Sequence, residues 1–106
     1  MVQETNRNQQ SLALYQQAQL NLIEEQHKLV RVQFINLLQN DADRLNPEFV
    51  TEAKQLMLQI DQASAEIKRA IDQQPNNPDF AAMLASTYQQ EVKLLNKVRV
   101  KTAVSI

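Results

Sequence analysis

An all-α fold, a three-helix antiparallel bundle with a long first helix and a capacity to dimerise, is predicted for this chain by three observations. First, the 106 residues include no glycine, whereas a β-rich chain of this length needs glycine where hairpin turns and bulges require positive φ. Second, 43% of the residues are hydrophobic but only 5% aromatic, so the core must be built from Leu, Ile, Val and Ala, which suits helix-on-helix packing. Third, an Asn-Pro helix start occurs twice, at Asn46-Pro47 and at Asn77-Pro78.

Residues 1–10 are polar and aperiodic and read as a frayed lead-in to one helical domain over 11–100. From Ser11 to about Asn40 two apolar stripes share one helix. Tyr15, Ala18, Leu22 and Leu29 form the first, and Ile23, Val30, Phe34 and Leu37 form the second, about 100° further round. Two seams imply two neighbours. At about 1.5 Å per residue this helix is roughly 45 Å long and is expected to overhang. A second helix is expected over about 47–74, where Asn46 caps, Pro47 fits the first position and Glu48 meets the positive end of the dipole. Its apolar positions Phe49, Ala53, Leu56, Ile60, Ala63, Ile67 and Ala70 alternate in steps of four and three. The third helix is expected over about 78–100, with Ala81, Leu84, Tyr88, Leu95 and Val98 buried and Phe80 and Val92 at the margins. The tail over 101–106 reads as frayed. Short connections make consecutive helices antiparallel, and asparagine is expected to replace glycine at helix ends.

Charge and composition exclude several function classes. A formal net charge of −1, with the basic residues scattered, offers no footprint for a phosphate backbone, so nucleic acid is not expected as a partner. Without cysteine there are no disulfides, thiolate metal sites or thiol chemistry. No stretch approaches the roughly 20 apolar residues of a membrane span, and the polar start is not a signal peptide. Ser11, Ser64, Ser86 and Ser105 lie outside any nucleophile elbow, and Glu24-Glu25 and Asp41/Asp43 read as solvated acids rather than acid-base pairs. No phosphate loop forms without glycine. The chain is not expected to be an enzyme or to hold a cofactor.

Two constellations remain. His27, the single histidine, has Glu24, Glu25 and Arg31 within a turn and is a weak metal candidate. A transition metal needs three or four suitable ligands, and a solvated or edge-packed histidine explains the pattern equally. Met57 and Met83 lie at core-like spacing and read as gap fillers. The more informative constellation is the heptad row Gln19, Gln26 and Gln33, which bisects the two stripes and points where a core residue should. A buried amide needs partners, at a cost of roughly 1–3 kcal/mol otherwise, while amide pairing between helices can fix register or oligomeric state. The opposing reading is a splayed bundle in which these amides reach water. Together with Ile23, Val30, Phe34 and Leu37 the glutamines form the predicted protein-interaction surface. Leu14, Val32 and Ile35 fall outside the stripes, and Leu94 faces away from Leu84. Apolar residues left exposed on an overhanging helix point to a homodimer.

The run Leu45-Asn46-Pro47-Glu48, then Ile60-Asp61-Gln62-Ala63 with Ile67 and Ala70-Ile71, then Pro75-Asn76-Asn77-Pro78, Met83-Leu84 and Tyr88 to Leu95, resembles the C-terminal extracytoplasmic segment of membrane-anchored anti-sigma factors. The resemblance covers about half the chain, and its most distinctive piece is the proline-asparagine turn with the Leu-x3-Tyr helix. Such proteins carry a cytoplasmic zinc-finger-type sigma-binding domain, one membrane helix and a helical outer domain. The zinc ligands and the span are absent here, so no residue of this chain is assigned to sigma binding. The resemblance implies a periplasmic regulatory domain that controls sigma-factor release through protein contacts or through access of a regulatory protease, joined to the membrane only by a span elsewhere in the parent protein. A structural adaptor or coiled-coil scaffold, and a periplasmic metal or ligand sensor, are the alternatives.

Overall fold

A computed structural model describes residues 2–104, with side chains described over residues 12–100. Helix α1 runs Val2–Asn40, a single 3-10 turn spans Ala42–Arg44, α2 runs Pro47–Gln73 and α3 runs Asp79–Val104. No strand occurs among the described residues. The backbone of the expected lead-in is helical from Val2, so α1 has 39 residues, or about 58 Å at 1.5 Å per residue. Helix α3 likewise continues past residue 100, while Ser105 and Ile106, the end of the expected tail, lie outside the described residues.

Both Asn-Pro starts work as caps. The Asn46 side-chain oxygen accepts from the Glu48 amide at 2.9 Å, and that of Asn77 accepts from the Asp79 amide at 3.0 Å, each satisfying a donor that the first helical turn leaves unpaired. At the other ends asparagine does not take glycine's place. No described residue has a positive φ. Helix α2 instead closes with the Gln74 amide on the Ala70 carbonyl at 2.9 Å, and the 3-10 turn stops where Leu45 becomes extended.

The helices run up, down and up. Ala53 packs with Leu95 and Val98, while Ile60 and Ile67 pack with Leu84 and Tyr88, so α2 and α3 are antiparallel. Phe34 and Leu38 share the first of these clusters, and Leu20 and Ile23 lie against the second, so α1 runs parallel to α3. Gln16 marks the upper limit of the bundle, where its amide donates to the Asn76 carbonyl in the α2–α3 turn at 3.2 Å.

The core residues expected on α2 and α3 are mostly where periodicity puts them. Ala53, Ile60, Ile67, Leu84, Tyr88, Leu95 and Val98 are buried, and Phe80 and Val92 are half-buried. Met83 is a departure, 49% exposed rather than filling a gap. Leu94 is another, since it packs against the cluster around Phe34 and Leu95. The largest departure is on α1. Phe34 is buried and Ile23, Val30 and Leu37 are half-buried, but Tyr15, Leu22 and Leu29 are 62%, 59% and 66% exposed. Among the described residues only one of the two seams has a neighbour, because α2 and α3 both lie against the arc of α1 that carries Leu20, Ile23, His27, Arg31, Phe34 and Leu38.

Candidate functional site

Between the two apolar clusters lies a polar layer to which all three helices contribute. Its centre is Glu91, whose side chain is fully buried. Arg31 of α1 donates to it from Nε at 3.0 and 3.1 Å and from Nη2 at 2.6 Å, and reaches Asp61 of α2 from Nη1 and Nη2 at 3.1 and 2.9 Å. One guanidinium therefore joins α3 to α2 through two carboxylates, using the fork geometry that only arginine supplies. The hydrogen bonds to Glu91 hold Arg31 still more firmly protonated than usual, against the opposing effect of burial and with further help from Asp61.

His27 completes this side of the layer. Its Nε2 lies 3.3 Å from Glu91 Oε1, and its ring stacks on Tyr88 with centroids 3.7 Å apart and planes within 4°. Among the described residues no three His, Asp or Glu side chains gather in a metal-binding arrangement. Of the acids near His27, Glu91 is held by Arg31, Glu24 by Tyr88 and Lys68, and Glu25 by Lys28.

On the next turn Tyr88 Oη donates to Glu24 Oε1 at 2.8 Å and Lys68 Nζ reaches the same oxygen at 2.9 Å. Burial pushes the Tyr88 hydroxyl above its ordinary value of 10.0, with the Glu24 carboxylate adding to the rise and Ser64 opposing it. For Lys68, burial alone would act downward, but Glu24 and Tyr88 outweigh it and raise the ammonium above 10.5. Both groups hold their protons more tightly when folded, so their contribution is complete below the unfolded values and is lost as pH rises through the folded ones. The expected result is a fall in urea midpoint above about pH 10, made shallower by Tyr88→Phe combined with Lys68→Met. An unchanged slope in that variant would show that these groups do not govern it.

Sequence reasoning missed this layer, although a signal was present. Ala81, Leu84, Tyr88, Glu91, Leu95 and Val98 follow one three-four alternation, and Glu91 is its only charged member. His27 and Arg31, one turn apart, occupy the buried arc of α1 in the same way.

The predicted interaction residues lie elsewhere. Gln19, Gln26 and Gln33 are all exposed rather than core, for the reason that leaves the first stripe uncovered. They border a groove between the parallel helices α1 and α3. At its upper end the groove is lined by Tyr15, Gln19, Ile23, Ala81 and Ala85, and it continues past Gln26, Val30, Gln89 and Val92. Gln19 donates to the Tyr15 hydroxyl at 3.3 Å, and Gln33 accepts from the Arg99 guanidinium, bridging α1 to α3 at the lower end. Of the other predicted residues, Ile23 and Val30 form the groove wall, while Phe34 and Leu37 belong to the core. The cleft between α1 and α2 is different in kind, because the Glu24–Lys68 pair spans it.

No family model matches the chain, and no characterised protein or solved structure shows significant similarity to it.

Proposed function

We propose that this chain is a non-catalytic helical docking module whose working surface is the α1–α3 groove together with the adjoining outer face of α1. The observation that carries this reading is the uncovered seam. Tyr15, Leu22 and Leu29 are each more than half exposed along one side of α1, directly beside a groove walled by Ile23, Val30 and small alanines. A helix laid there gains apolar burial on both sides, the usual mode of helix-in-groove recognition, at roughly 25 cal/mol per Å² of apolar surface covered. The polar layer organises the bundle, and its members that line the groove, His27 and Tyr88, are held against each other and by Glu91 and Glu24.

The resemblance of residues 45–99 to the outer segment of anti-sigma factors supplies a biological setting for such a module, that of an extracytoplasmic regulatory domain whose contacts govern sigma-factor release. No helix among the described residues is long and apolar enough to cross a membrane. The groove reading is tested by placing a photo-crosslinking residue at Leu22 or Ala85 in living cells, with Gln62 on the outer side of α2 as control. Discrete protein adducts at the first two positions and none at the third are expected. Equal labelling at all three positions would overturn it.

A further inference from the structure

We infer that the occupant of the α1–α3 groove is an amphipathic helix of another protein that presents an uncharged face, one branched aliphatic side chain as its anchor, and an acid one to two turns from that anchor. The inference rests on the docking reading and names the chemistry of the partner.

The anchor position lies at the middle of the groove. A cavity of about 110 Å³ opens there between α1 and α3. The buried Tyr88 ring, with His27 stacked on it, forms the base, Ile23, Val30 and Val92 form the walls, and the exposed amides of Gln26 and Gln89 form the mouth. Glu91 holds His27 and Glu24 holds Tyr88, so the base is fixed before a ligand arrives and binding is spared the cost of ordering it. The volume is below the roughly 150 Å³ of a cavity that houses benzene. It therefore takes a leucine or isoleucine side chain and has no room for an indole. Such a residue, recurring once in a helix, is the usual anchor of helix-in-groove recognition.

The floor decides the rest of the contact face. Along the upper and middle length of the groove no Asp, Glu, Lys or Arg side chain lines it, in a chain where 22% of the residues are charged. An ion pressed against such a floor loses hydration without gaining a counter-ion, so the seated face is apolar, small or amide-bearing. Ala81, Ala82 and Ala85 admit close approach at the upper end. The Gln19, Gln26 and Gln89 amides offer donors and acceptors to Ser, Asn or Gln.

The lip supplies the charge. Lys93 follows Gln89 by one turn on the same edge of α3, and Lys97 follows by a second, slightly further round. Both are exposed, and neither forms an ion pair with a described residue. On α1 the acid nearest the groove, Glu25, is already held by Lys28 at 3.3 Å. The uncompensated charge beside the groove is therefore positive. It lies about 7 to 13 Å below the cavity at about 1.5 Å per residue, which is about four to eight residues along a seated helix. An acid at that spacing meets Lys93 or Lys97, whereas a base meets like charge.

The test presents the full chain to a phage-displayed library of helices about 20 residues long, roughly 30 Å, randomised over one face and its two flanks on an alanine-rich scaffold. The enriched sequences are expected to share one Leu or Ile, an otherwise uncharged face, and Asp or Glu about four to eight residues from the aliphatic residue on one flank. The best of them is then labelled with fluorescein and its affinity followed by anisotropy. Ala85→Leu, at an exposed position, narrows the cavity and is expected to weaken binding at least about tenfold with helicity by circular dichroism unchanged. Lys93→Glu is expected to weaken it about three- to fivefold at low salt, and exchange of the peptide's acid for lysine to restore it. Basic flanks or an aromatic anchor in the enriched sequences would overturn the inference. So would an affinity insensitive to Ala85→Leu, a charge preference that Lys93→Glu leaves unchanged, or a library that yields no binder. If it falls while the photo-adducts at Leu22 and Ala85 still contain one discrete protein, the docking reading stands with a partner of other chemistry.

Discussion

Replacement of Glu91 by alanine is expected to lower the unfolding free energy by about 3–5 kcal/mol, the cost of breaking a buried ion pair from one side. The substitution strips Arg31 of its acceptor in the interior and leaves it Asp61, which is about half exposed. It also removes the carboxylate beside His27 and opens a void where a fully buried side chain stood. For a domain of this size, with a total stability of about 5–15 kcal/mol, such a loss brings the bundle near its unfolding threshold. Equilibrium urea unfolding followed by circular dichroism measures it. Glu91→Gln retains the shape and some hydrogen bonding and should cost less. The double variant Glu91→Leu with Arg31→Met removes both charges and should recover most of the loss, since well-packed apolar replacements of buried ion pairs are often neutral or better. A cost under about 1 kcal/mol for Glu91→Ala, the size of an ordinary exposed pair, would show that the layer is hydrated rather than buried.

The second large effect is expected at Phe34. It is fully buried in the cluster with Leu38, Ala53, Leu95 and Val98, and is the residue by which α1 enters the lower core. Truncation to alanine removes the ring and leaves a cavity that three helices cannot readily close, at about 3–5 kcal/mol. The informative comparison lies on the same helix. Leu29→Ala, at a side chain that is 66% exposed, should cost no more than about 0.5 kcal/mol when measured at a concentration where the chain is monomeric. Similar losses at the two positions would mean that α1 is packed on both sides within one chain and that the outer seam is not a free docking face.

The helical architecture was legible because local rules and global packing agree over α2 and α3. Asn46-Pro47 and Asn77-Pro78 mark helix starts through capping chemistry, and the three-four spacing of Ala53, Ile60 and Ile67 against Leu84, Tyr88, Leu95 and Val98 marks the shared face. The α1 surface was only half legible. Periodicity shows that a helix has two apolar stripes, but not which neighbours exist to cover them, and here both neighbours chose the same arc. The glutamine row was found but left between two readings, a paired buried row and amides that reach water, since angular position alone cannot distinguish a buried seam from a groove rim. The polar layer was missed for a different reason. A glutamate at a core position is discounted by any reading that counts apolar residues, and Arg31 and His27, its partners, lie 60 and 64 residues away. Nor does composition reveal that polar residues at the start of α1 continue the helix back to Val2.

That separation also shapes how the native state is reached. The α2–α3 hairpin closes over a short turn, so its contacts form at little loop entropy, whereas every contact of α1 with α3 spans a long stretch of chain. The hairpin is therefore expected to assemble early and present a half-built surface with Glu91 at its centre. When α1 arrives, sliding by a turn or rolling by one residue would still bury leucines, but it would leave that carboxylate without its guanidinium. The ion pair thus acts as a proofreading step late in folding, rejecting misaligned dockings that apolar contact alone would accept.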